Sequence, residues 1–199
     1  MVSLHTKSDA KNVLHNDNAL LVQGKTLEIC TGLYTGESQK KLYLSMVEAI
    51  QKRLVIFDLD GTLIDVSKVR HHVEGKKKNF DLFHKTSIDC PPYEKVLNLN
   101  KTLQNISDIY IAILTGREEK YRTLSEQWLG IHNISYSTLL MRQNNDFRTN
   151  VEVKREIYEN LKSQFIPYLA IDDTAQLRDL WREVGFSIIY DPLNFNHEE

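Results

Sequence analysis

Asp58 and Asp60 close the run LVIFDLD, in which four apolar or aromatic residues lead straight into the first carboxylate. Two like charges at the end of a strand with a buried composition are costly unless a cation or a reaction uses them. The spacing of two has a use. Alternate residues of an extended strand share a face, and Gly61 supplies the sharp exit that re-aims the second carboxyl. A second acidic pair, Asp172-Asp173, follows another apolar run, YLAI. Asp58, Asp172 and Asp173 together offer three carboxylates to one small hard cation, with Asp60 beside them. Mg²⁺ takes six oxygens and keeps several waters, which leaves room for a phosphate oxygen. No Cys/His spacing suits zinc. Asp58 has a further capacity, because a carboxylate can attack phosphorus and form an aspartyl-phosphate. Asp60 then stands where it can protonate the leaving oxygen and later activate water, so it must hold a proton part of the time. Thr115 offers a hydroxyl to a phosphoryl group, Gly116 lets backbone approach it, Lys154 (with Arg155 and Lys162 as other candidates) neutralises both phosphate and Asp58, and Arg117 presents a planar fork.

The elements that must position these residues are legible as alternation. Apolar runs predict strands at 54–58, 109–114, 138–141, 168–171 and 187–190. Helical patterns fall at 93–105, 118–129, 151–163 and 174–184. Such alternation argues for a parallel sheet covered by helices on both faces, a three-layer Rossmann-like α/β fold of five strands in the order 3-2-1-4-5. Ligands then bind beyond the carboxyl ends of the strands. The polar residues above all leave the sheet at that edge, as do Arg142 and Gln143 after the third strand. Trp128 and Trp181 fit buried helix faces, and His71 and His72 have no companion ligands and read as surface.

Residues 1–52 read as an N-terminal extension ahead of a domain over 53–199. The first 18 residues are polar and loose, 18–33 suggest a hairpin around Gln23-Gly24-Lys25, and Ser38 caps an expected helix reaching Arg53. The segment ALLVQGKT ends like a phosphate-binding loop, but the first glycine of that motif falls at Ala19, so no ATP site is expected. The net charge of −2 names no partner, and any nucleic-acid contact must come from a local basic patch. Arg70, Lys76, Lys77 and Lys78 form one such patch. Cys30 and Cys90 make no disulfide framework. With no apolar run of membrane length and no signal core, a cytoplasmic protein is expected.

The motifs DLDGT, LTGR, VEVK and AIDDTAQL, in this order, resemble the four motifs of the haloacid dehalogenase superfamily of phosphohydrolases. A closer resemblance is to the 3′-phosphatase domain of bacteriophage polynucleotide kinase/phosphatase, carried by PPYEKVLNLNKTL, TGREEKYRTLSEQWL, LLMRQNNDFRTNVEVKREIYENL and LAIDDTAQLRDLWREVGF. This resemblance implies Asp58 as nucleophile, Asp60 as general acid–base, Thr115 and Lys154 on the phosphate, Arg117 toward substrate, and Asp172 and Asp173 at Mg²⁺. Asn150 stands where that family carries an acidic residue, and the kinase half is not found in this sequence.

Many phosphatases of the superfamily insert a cap after the first motif. Here the stretch from Leu63 to Pro92 is too short for an ordinary folded cap, so a short or absent cap and an open cleft are expected. An open cleft admits a polymer end. The expected function is a Mg²⁺-dependent phosphatase acting on a 3′-phosphate of DNA or RNA through an aspartyl-phosphate, in end healing. Arg70 and Arg142 join the expected substrate contacts. Two alternatives are the same chemistry on nucleotides or other small phosphate monoesters, and a catalytically idle binding module.

Overall fold

A computed structural model describes residues 2–5, 19–22, 25–29 and 51–193. The chain divides into two units, residues 1–51 and 52–199. In the first, β1 (Val2–His5), β2 (Ala19–Val22) and β3 (Lys25–Ile29) form an antiparallel sheet of order β1-β3-β2. Strand β1 corrects the reading of the first 18 residues as loose, since a run of four is too short to register as a pattern. The helix expected from Ser38 lies outside the described residues except at its end, where Gln51 and Lys52 are not helical and Arg53 opens a strand.

The second unit carries a parallel sheet of β4 (Arg53–Phe57), β5 (Ile109–Glu118), β6 (Thr138–Arg142), β7 (Ile166–Ile171) and β8 (Ile188–Tyr190). Its spatial order is β6-β5-β4-β7-β8, the 3-2-1-4-5 order that the alternation predicts. Helices α1 (Phe80–Thr86), α2 (Glu94–Leu103), α3 (Arg122–Ile131), α4 (Asn150–Glu159) and α5 (Ala175–Glu183) join the strands.

The central strands are apolar without a break because both of their faces are covered. Val55, Phe57, Ile111, Ile113 and Ile171 pack with Val96, Leu97, Trp128 and Leu129 of α2 and α3. The alternate residues Leu54, Ile56, Ala112, Leu114 and Ala170 pack with Tyr158, Leu177, Leu180 and Trp181 of α4 and α5. Both tryptophans are fully buried. Pro167 is tolerated because the β4–β7 register shifts beside it, between Leu54 and Val55.

Between β4 and α2 the chain forms the seven-residue helix α1 and short 3₁₀ turns at Arg70–His72 and Ser87–Asp89, not a folded cap domain. Asn79 caps α1 by accepting from the Leu82 amide. Among the described residues no helix is long and apolar enough to cross a membrane.

Candidate active site

The carboxyl ends of the middle strands gather the acidic groups. The Asp58 amide still bonds to the Ile171 carbonyl, so its side chain leaves the sheet at a fixed point. Oxygens of Asp58, Asp172 and Asp173 lie within 4.8 Å of one another. Gly61 makes this approach possible. Its φ is +88°, and a Cβ there would lie 2.2 Å from Asp173 Oδ2. The Asp173 amide in turn donates to Thr62 Oγ1, which ties the two acidic turns together.

Lys154 enters from α4. Its Nζ donates to Asp58 Oδ1 at 2.7 Å and to Asp172 Oδ2 at 2.8 Å, and it is almost completely buried. The helix that delivers it starts in a capping box, in which Thr149 accepts from the Glu152 amide and Glu152 accepts from the Thr149 amide. Burial pulls the ammonium toward neutrality, but Asp172 and Asp58 outweigh that pull and keep it charged. Trp181 Nε1 and the Thr174 amide complete the partners of Asp172.

Two cations do not balance this cluster. Burial first, and then the charges of Asp172 and Asp173, push the Asp58 carboxyl up to about 8 against the opposing effect of Lys154. Asp173 is also raised, by burial and by Asp172, although Arg70 donates to it at 3.0 Å. Three hard oxygen donors with charge left over are the donor set that a small divalent cation prefers, so these residues fit one. Thr115 Oγ1 accepts from the Arg117 amide, which leaves its own hydroxyl hydrogen to be donated elsewhere.

Arg117 departs from expectation. Its fork does not face a phosphate. Nε and Nη2 donate to the two oxygens of Asp60 at 2.7 and 2.5 Å, Nη2 also reaches Ser87 at 2.8 Å, and Nη1 reaches Ser125 at 3.2 Å. A buried guanidinium satisfied in this way orients Asp60 instead of waiting for substrate. The Asp60 side chain is accordingly not one of the three carboxylates whose oxygens converge. Burial pushes the Asp60 carboxyl up, but the charge and hydrogen bonds of Arg117 prevail and hold it below the usual range.

Arg142 lines the same cleft and is likewise engaged within the protein. It is buried and donates to the carbonyls of Gly116 (2.9 Å), Asp146 (3.0 Å) and Arg148 (2.7 Å), and to Asn150 Oδ1. Four of its five N–H donors are therefore engaged within the protein. Asn150 keeps an acceptor where an acidic residue was expected, and its side chain packs on Gly116 so closely that a Cβ would lie 2.5 Å from its oxygen. Arg70 is on the cleft rim with its side chain partly exposed, and Lys78 lines the same cleft. The cleft itself has a volume of about 620 Å³ and includes Asp58, Asp60, Thr115, Gly116 and Lys154 in its lining.

Sequence reasoning missed Ser87, Ser125 and His84. His84 is buried beside Phe83 and Tyr121, and its Nδ1 has no hydrogen-bond partner. Burial pulls its pKa down to about 4. The folded protein therefore refuses a proton that the unfolded chain takes near pH 6.5, so stability falls as pH drops from about 6.5 to 4, by up to about 3 kcal/mol. Denaturant titrations at pH 7 and 4.5 should show His84→Phe losing less stability than the parent. Equal losses would remove His84 as the cause.

A parallel sheet of this order with carboxylates converging at its edge defines a hydrolase of the haloacid dehalogenase type, a phosphatase. The family model described as the polynucleotide kinase PNKP phosphatase domain matches residues 52–190, and the chain belongs to that family. A haloacid dehalogenase-like family hydrolase from Streptococcus pneumoniae shares the fold at 16% identity and a TM-score of 0.51, over 71% of this chain and 95% of that one. A chain of the Pnkp1/Rnl/Hen1 complex is similar at 26% identity and a TM-score of 0.58, over 72% of this chain and 47% of that one. A chain from a structure of the Pnkp1/Rnl/Hen1 RNA repair complex shares the fold at 22% identity and a TM-score of 0.60, over 85% and 49%. The chain thus spans about half the length of these last two.

Proposed function

We propose that this phosphatase is Mg²⁺-dependent and removes 3′-phosphates from nucleic-acid ends in repair, through an aspartyl-phosphate. The observation that carries the reading is the setting of Asp58. It lines an open cleft, is held by Lys154, and lies within 4.8 Å of Asp172 and Asp173. Membership of the polynucleotide kinase phosphatase family and the short insert between β4 and α2 support a polymer end as substrate.

An Asp58 oxygen attacks phosphorus, and the bond from phosphorus to the nucleic-acid 3′ oxygen breaks. That oxygen leaves with a proton from Asp60. Water then attacks the phosphorus of the aspartyl-phosphate and gives its proton to Asp60, while the bond to Asp58 breaks and inorganic phosphate departs. Thr115 donates to a phosphoryl oxygen, and Gly116 lets the backbone come close. Lys154 offsets charge on both Asp58 and the phosphoryl group. Asp58, Asp172 and Asp173 would hold the Mg²⁺, which supplies positive charge against the phosphoryl oxygens. The grip of Arg117 favours ionised Asp60, the form that suits the water-activating half. The first half requires that grip to slacken enough for Asp60 to carry a proton.

Phosphate release from 3′-phosphorylated oligonucleotides should exceed that from 5′-phosphorylated ones and from free nucleotides at equal concentration. It should stop with EDTA and return with Mg²⁺. Preference for free nucleotides would transfer the reading to small monoesters, and activity untouched by EDTA would remove the metal.

A further inference from the structure

Two aromatic rings line the cleft of Asp58 without being part of the core. Phe147, in the loop between β6 and α4, is 93% exposed, and Phe80, the first residue of α1, is 52% exposed. A nearly bare phenylalanine contributes little to folding, because burial of the ring is what stabilises. Single exposed apolar residues are ordinary on protein surfaces. Phe147 differs in how its backbone is held.

The carbonyls on either side of it, from Asp146 and Arg148, both accept from Nη1 of the buried Arg142. The Arg148 amide donates to Asp146 Oδ1 at 3.0 Å, and the Arg148 guanidinium forks onto the same carboxylate. The loop cannot readily tuck the ring inward. The backbone that carries the ring is held in place, so little of its freedom is left to lose on binding.

The cleft therefore has two chemistries. Its floor handles a phosphoryl group, and its wall offers flat apolar faces with cationic groups at Arg70, Lys78 and Arg148. A nucleotide has the matching pair, a charged phosphate joined through a sugar to a base with two π faces. Aromatic side chains bind single-stranded ends by such stacking, largely without regard to sequence.

We propose that Phe147, with Phe80, stacks the base of the nucleotide that carries the scissile phosphate. The inference rests on the reading of the substrate as a nucleic-acid end, and it names how that end is recognised. Phe147 is a specificity-determining residue and takes no part in the bond changes.

The test compares kcat/KM on an oligonucleotide with a normal 3′-phosphorylated terminal nucleotide and on one whose terminal nucleotide is abasic. In the parent protein the normal end is favoured. In Phe147→Ala the ratio of the two should fall roughly 5- to 150-fold, the range that base–aromatic stacking spans. Phe80→Ala should lower the ratio less, and Phe147→Trp should keep it. Loss of so exposed a ring leaves the core intact, and a thermal melt of each variant checks this directly. An unchanged ratio in Phe147→Ala, or a parent ratio near one, overturns the platform even if 3′-phosphates are removed efficiently. Rejection of both oligonucleotides by the parent overturns the polymer reading instead. The platform then stands only if Phe147→Ala loses activity on free 3′-nucleotides in the same proportion, and falls if it does not.

Discussion

Asp58→Asn lowers kcat for phosphate release by at least about 10⁴-fold, the scale expected when a covalent nucleophile is removed. The amide fits the same space but cannot form an acyl phosphate and pass it to water. The fold should not suffer. Burial and two acidic neighbours hold the Asp58 carboxyl up at about 8, so its ionised form is a liability in the metal-free protein. An acid whose folded pKa lies above its unfolded value loses stability as pH rises between the two. Asn carries no such charge. The metal-free variant should melt above the parent at pH 8 and lose that advantage as the pH falls toward 4. Steady-state assays and melts in EDTA across that range test both halves. Activity within tenfold of the parent would end the covalent mechanism.

Lys154→Met has the opposite effect on folding. It removes the cation that bridges Asp58 and Asp172, and among the described residues leaves these two buried acidic groups with no cation between them. Breaking a buried pair from one side costs about 3–5 kcal/mol. Against the usual net stability of about 5–15 kcal/mol, that is a large share. A divalent cation supplies what the variant lacks, so Mg²⁺ should raise the melting temperature of Lys154→Met by more than it raises that of the parent. Catalysis should still fall by roughly 10²–10³-fold, because a fixed donor near the developing charge is gone. A variant as stable as the parent in EDTA would mean that Lys154 does not compensate the carboxylates.

What the sequence revealed follows from how local each signal is. Strand β4 and the turn after it are local. Five apolar residues, two aspartates and one glycine fall within a single short run, and their meaning survives in the fold. Strand order came from alternation and the right-handed crossover, both of which are properties of the chain path. The partners of arginines are not local. Arg117 meets Asp60 from 57 positions away, and Ser87 from 30. A planar fork beside a Thr-Gly turn suits a phosphate and a buried carboxylate equally well, and only three-dimensional packing chose between them. Arg142 was open to the same misreading, because backbone carbonyls leave no mark in a sequence. His84 had no pattern at all to give it away.

Arg142 has a wider consequence. One rigid, planar group is fastened to Gly116 on the reaction floor and to both flanks of Phe147 at the rim. The Gly116 turn and the loop that carries Phe147 are thereby one mechanical piece. A substitution that shifts either of them should displace the other as well, because a single guanidinium spans both.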